Sequence, residues 1–361
     1  MAHFRLLRDD GLVVAEFDYS ETTTPALPTP VTNVSNLMTL AAIQAAINSQ
    51  NGGTIAFAEG TYPTGRLTGK NGVWLYAKGP VNGLSFDMTS KMNWVIRGAT
   101  DAAGFRFTGA VPIKANNARF GTVLYNVFLN VPSNGFDGAA VAMNGAKDML
   151  VGNNDFTNCL GNVLGMYNMN NITFDGNHFT DCFECTSIQE PTNSDTTLGN
   201  NIVITKNVFL GTKRAAVEVG PASEGAEYFN GLVVNDNFFD DFKNAGEEGT
   251  LLAISLVGQA SQNTTVKRNF IRRGNGSPNM TGVAIEFTGT GECSDNVVVN
   301  FDYTGLVYQS GWNVYDNGVY NDPGIPFFGW ANNGQGTGTF GNVIYLETTP
   351  STPPWPTRTV Y

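Results

Sequence analysis

The sequence predicts an all-β fold, a right-handed parallel β-helix, on three observations. First, an asparagine recurs in one local setting at Asn126, Asn154, Asn177, Asn207, Asn237, Asn269, Asn296, Asn317 and Asn342, at intervals of 21 to 32 residues. Second, an apolar residue stands two places after each: Phe128, Phe156, Phe179, Phe209, Phe239, Ile271, Val298, Val319 and Ile344. Third, a short apolar strand precedes nearly every one, as in Ile172-Thr173-Phe174, Ile202-Val203-Ile204 and Leu232-Val233-Val234. A repeat of roughly 20–30 residues, with one fixed turn and an elastic remainder, marks a solenoid. Asparagine suits such a turn because it tolerates left-handed backbone geometry and hydrogen-bonds nearby main chain. Stacked one per coil, its amides would also form a ladder, and the Phe128 to Phe239 series would stack inside the core.

The elements follow in order. Residues 1–30 form an N-terminal arm with alternating apolar positions (Leu12, Val14, Phe17) that ends in the Pro/Thr-rich run Thr22 to Pro30. Leu37, Leu40, Ile43 and Ile47 then fall at helical spacing, which predicts a short helix capping the open end of the apolar column. Strand-like segments come next at Gly53 to Phe57, Gly60 to Tyr62 and Val73 to Tyr76, and the solenoid spans residues 31–345. After Asp322-Pro323-Gly324 the pattern loosens, and residues 346–361 form a tail rich in proline and threonine. Arm and tail together suggest assembly, most simply a homotrimer.

Lys+Arg 20 against Asp+Glu 31 gives a net charge of −11. That is the wrong sign for a nucleic-acid footprint. No apolar run approaches the ~20 residues of a membrane span, and residues 1–30 lack the uninterrupted apolar segment of a signal peptide. An extracellular or virion-associated location is expected. Cys159 and Cys182 each follow a ladder asparagine by five residues, so they occupy equivalent places on adjacent coils. They read as reduced, buried thiols, with a bridge between coils as the alternative. Cys182-Phe183-Glu184-Cys185 has no second pair to complete a zinc site. Neither metal nor cofactor is expected.

Ala42-Ile43-Gln44-Ala45-Ala46-Ile47, followed by Gly52-Gly53-Thr54-Ile55 and Gly60-Thr61-Tyr62, resembles the opening segment of the pectate-lyase superfamily of β-helices. That group includes polysaccharide lyases, polygalacturonase-like hydrolases and phage tailspike depolymerases. The opening motif covers about residues 37–77, and the asparagine ladder extends the resemblance to about residue 345. The resemblance implies a polysaccharide partner held in a groove on one outer face. The sharper catalytic signatures are missing: there is no Gly-His-Gly, no Arg-Ile-Lys, and no paired Asp-Asp on a strand in the expected region. No catalytic residue is carried over by motif.

A second strand follows each ladder turn and its loop: Leu164-Gly165-Met166, Ile188-Gln189-Glu190, Val217-Glu218-Val219, Ile254-Ser255-Leu256, Ile285-Glu286-Phe287, Val307-Tyr308-Gln309 and Phe328-Gly329-Trp330. Side chains alternate across a strand, so a residue between two apolar neighbours faces solvent. The outer column then reads Gly165, Gln189, Glu218, Ser255, Glu286, Tyr308, Gly329. At about 4.8 Å per coil, Glu218 and Glu286 lie about 9–10 Å apart at the backbone, with the small Ser255 between them. Two carboxylates so spaced suit an inverting glycosidase, whose pair stands ~6.5–9.5 Å apart. One protonates the leaving oxygen while the other activates water.

Glu190 and Asp195 lie near the same edge as alternatives. Acidic loop residues on one rim, with Tyr228 among them, and Lys213, Arg214, Arg272 and Arg273 on the other would grip a charged glycan. Tyr308, Trp312 and Trp330 offer flat faces for sugars, although Trp312 precedes a ladder turn and also reads as core. His178 sits on a ladder turn away from the groove, so a Ser-His-Asp triad is not expected. Asp-containing turns such as Asp175-Gly176-Asn177 and Asn235-Asp236-Asn237 read as structural. Three functions remain open: a glycoside hydrolase, a lyase acting on a uronate-containing glycan with the basic residues neutralising its carboxylate, and a non-catalytic carbohydrate-binding or adhesin-like surface protein.

Overall fold

The computed structural model describes residues 26–100, 103–132, 139–166, 168–189, 199–220, 229–242, 251–256, 262–273, 282–287, 289–299, 304–308, 312–320, 330–332, 344–345 and 357–360, with strands at 3–7 and 13–18. Among the described residues the chain winds as successive coils, each presenting one strand to each of up to three faces. The first face is a 13-stranded parallel sheet that runs from Val31–Val34 to Trp312–Tyr315. The second is a stack of short strands just after the ladder, such as Asp155–Thr157, His178–Thr180 and Val208–Leu210. The third holds Glu184–Gln189, Ala215–Gly220, Leu251–Leu256 and Gly282–Phe287 in parallel register. The longer strand Val81–Asp87 pairs with Phe105–Phe107 at one end and Ile113–Lys114 at the other, so the second and third faces diverge there.

The ladder runs from Asn126 to Asn317 as the sequence predicts. Each side-chain amide donates to the Oδ1 of the asparagine one coil on, at 2.8–3.2 Å. The same Oδ1 also accepts the backbone N–H of the preceding ladder residue. The second amide proton goes to a main-chain carbonyl, as from Asn207 to Thr205 and from Asn237 to Asn235. These amides are buried, and a buried polar group is tolerated only when its bonds are made. Asn342 lies outside the described residues.

One detail differs from the sequence reading. The left-handed residue of the turn is the one before the ladder asparagine: Tyr125, Asn153, Gly176, Lys206, Asp236, Arg268, Asp295 and Asp316 all have φ between 50° and 66°. The ladder asparagine is selected for its amide, because its side chain must point into the coil stack. Asp236 on this corner takes Arg268 in a two-point ion pair at 2.7 and 2.8 Å, a structural use of an acidic turn.

Phe128, Phe156, Phe179, Phe209 and Phe239 are all buried and stack ring on ring at 4.5–4.9 Å between centroids. Ile271 and Val298 continue the column. The capping helix is Leu40–Ser49, with Ile43 and Ile47 buried under it. Thr39 caps its N-terminus by accepting the Ala42 N–H. Leu37, placed on the helix by its spacing, precedes that cap and is exposed, and Met38 packs against the core. The four cysteines are buried and unbridged. Cys159 is pushed far up by hydrogen bonding with Cys182 and by burial, and Cys182 by burial first.

Arm and tail meet. His3–Leu7 pairs antiparallel with Val13–Asp18 on one side and with Thr357–Val360 on the other. The register sets Phe4 opposite Phe17 and Val360, and Arg5 opposite Glu16.

Candidate functional site

The third face is the candidate site because the acidic side chains of Glu184, Glu218 and Glu286 gather on its strands. Strand register fixes its outward column as Gly165, Ser187, Glu218, Ser255, Glu286, Val307 and Ala331. Glu218, Ser255 and Glu286 thus stand on three successive coils, as the sequence predicts.

The neighbours differ from the sequence alignment. Gln189 is level with Gly220, two places beyond the column, and Ser187 takes its place. Thr186 and Ser187 are polar yet buried, so a search for a polar residue between apolar flanks slides past them to Ile188-Gln189. Tyr308 is level with Phe287 and Asn332, one place beyond the column. There Leu306-Val307-Tyr308 offers no alternation to fix the phase. Glu190, Asp195, Tyr228 and Gly329 lie outside the described residues.

Glu218 and Glu286 are half-buried rather than freely solvated, and Ser255 between them is 3 % exposed. The Ser255 hydroxyl donates to Oε1 of Glu286. That bond orients the Glu286 carboxylate and leaves its other oxygen for a second partner. Burial pushes the Glu218 carboxyl above the ordinary carboxylate range; Arg214 pulls it back and the charge of Glu286 raises it again. The two acids therefore sense each other across one coil.

Arg214 is the hub of the adjoining network. It is ion-paired with Glu184, whose side chain is 6 % exposed, and it donates from Nη1 and Nη2 to Glu218 at 3.4 and 3.3 Å. Sequence reasoning missed Glu184. The available signal was a single acid inside the apolar run Cys182-Phe183-Glu184-Cys185 at the start of a groove strand. A buried carboxylate requires a partner, and the register brings Arg214 to it from the turn before the next strand.

The other predicted basic residues are engaged elsewhere. Lys213 donates to Oδ1 of Asn158 at 3.0 Å. Arg272 belongs to the second face, where its guanidinium grips the buried carboxylate of Asp240 at 2.8 and 2.6 Å. Arg273, at the following corner, is 5 % exposed. The expected basic rim is thus largely occupied by the protein's own acceptors. Trp312 is core, with its ring 3.9 Å from that of Phe287 and 1 % exposed. His178 lies on the second face beside Asp155 at 3.5 Å, away from this column.

No protein-family model matches the sequence. No curated protein matches it either. Solved structures do resemble it in fold. The tailspike of E. coli bacteriophage HK620, solved with a pentasaccharide, superposes with a TM-score of 0.55 at 14% identity, over 92% of this chain and 65% of that one. The surface adhesin PfbA of Streptococcus pneumoniae gives 0.54 at 13% identity, over 80% and 92%. The exopolygalacturonase of Thermotoga maritima gives 0.50 at 10% identity, over 89% and 92%. The chain therefore has a right-handed parallel β-helix fold in common with these proteins.

Proposed function

We propose that this β-helix hydrolyses a polysaccharide at the Glu218–Ser255–Glu286 column, with Glu218 as general acid and Glu286 as general base. The observation that carries the reading is the pair of half-buried carboxylates two coils apart, with Ser255 between them, in different environments. Glu218 is pushed toward its protonated form by burial, as the donor of a proton to the leaving oxygen must be. Glu286 is held by the Ser255 hydroxyl, which fixes one oxygen and frees the other to accept a proton from water. A backbone separation of about 9–10 Å leaves room for a sugar and that water.

Arg214 is a positioning residue: clamped by Glu184, it donates to both oxygens of the Glu218 carboxyl group and holds that group in place. A surface or virion location suits such a protein. Among the described residues no helix is long and apolar enough to cross a membrane.

On a polysaccharide the parent cleaves, Glu218→Gln and Glu286→Gln should each lower turnover by at least ~10²-fold, the usual share of general acid–base catalysis. Unchanged circular dichroism and melting would confine that loss to the chemistry. Full activity of either variant would remove that residue from the reaction.

A further inference from the structure

A polysaccharide groove must also decide which charge on the sugar it accepts. Sugars bearing carboxylates are held by arginine or lysine that can meet the carboxylate directly, most effectively in two-point fashion. Three acids, Glu184, Glu218 and Glu286, gather around this column against one arginine. Arg214 already faces two of them, Glu184 and Glu218. Arg272 is taken by Asp240 on a different face. Among the described residues, the next cation on the same outward column is Lys114. It is level with Asp87, whose carboxyl it helps to hold below the ordinary range, after burial, which opposes that, and hydrogen bonds from Thr89. Register sets Lys114 four coils before Glu218, about 19 Å away at about 4.8 Å per coil.

Among the described residues of the column, a carboxylate on a sugar seated over Glu218 and Glu286 would therefore meet the charge of Glu286, with Arg214 already paired and the next cation on the column at Lys114. In a half-buried setting such repulsion is weakly screened.

We infer that the groove takes up uncharged glycan chains and rejects uronate-bearing ones. The inference rests on the reading of this column as the saccharide groove. It narrows the substrate class to glycans of neutral or N-acetylated sugars, and it disfavours elimination from a uronate, which needs a cation on the sugar carboxylate. Glu286 then acts as a charge filter as well as the general base.

The test is a matched pair of ligands differing only in charge: polygalacturonate and its carboxyl-reduced form, with alginate and its reduced form as a second pair. Each is cast into a native gel, and the retardation of the intact protein is read at low and at high salt. The neutral chain of at least one pair should retard the protein at least about tenfold more strongly than its acidic parent at low salt, because only the parent meets the like charge of the column. The gap should narrow as salt rises. Acidic chains that bind as well as or better than their reduced forms overturn the inference, as does the absence of retardation in both pairs. The readout is binding alone. Failure of the cleavage reading would appear instead in the turnover of the glutamine variants, so the two outcomes are separable.

Discussion

Glu218 illustrates how one residue acquires a role from its surroundings. In sequence it is an acid between two valines; in the fold it is half-buried, backed by Arg214 and Glu184, and within reach of the charge on Glu286. Burial raises its pKa, so it retains its proton to higher pH than a solvated glutamate. A general acid works only while protonated, so activity should fall as pH rises through that raised value. The alkaline limb of the kcat/KM profile should therefore lie above the ordinary carboxylate range, and an alkaline limb within that range would deny Glu218 the role of acid. The glutamate pair was legible from the alternation of Val217-Glu218-Val219 and Ile285-Glu286-Phe287. Its supports were not. Glu184, Arg214 and the Ser255 hydroxyl meet through register between coils of unequal length, and no spacing in the sequence encodes that meeting.

At the scale of elements, two columns hold the coils together: a ladder of buried amides and a stack of phenylalanine rings. Both were readable because each puts one residue type at one turn of every coil, so the signal repeats despite loops of different length. The third face was read only in part. Where polar Thr186 and Ser187 are buried, and where three apolar residues run together at Leu306-Val307-Tyr308, alternation gives no phase and the alignment slips. The ladder turn itself was read one residue late, since asparagine suits both the left-handed position and the inward amide, and only the backbone separates the two uses. Phe209 sits between Phe179 and Phe239 with rings nearly parallel and 4.7–4.8 Å away on both sides. Phe209→Ala should lower stability by roughly 3–5 kcal/mol, the range for large-to-small core changes. Denaturant unfolding would measure it, and an unaltered midpoint and slope would place that ring outside the core.

On the scale of the whole molecule, a solenoid separates duties that a globular enzyme mixes. The inward residues stabilise the stack and the corners set the pitch, which leaves the outward column of one face for the chemistry we propose. The capping helix closes the apolar column at one end, and the paired strands of arm and tail form a separate three-stranded sheet. Among these features, fold and cap were legible because burial demands periodicity. Arm and tail were expected as segments apart from the coils; their pairing with each other depends on partners more than 300 residues apart (Phe4 with Val360), beyond any local pattern. A net charge of −11 agrees with a groove that favours uncharged chains. Hydrolysis between two carboxylates two coils apart fixes the stereochemistry of the product, because the water attacks the face opposite the leaving group. Proton NMR of the product in the first turnovers on a neutral glycan tests it most directly. Attack by water held at Glu286 should give a new reducing end whose anomeric configuration is inverted relative to the bond cleaved. A product of retained configuration, or an unsaturated sugar at the new non-reducing end, would contradict it.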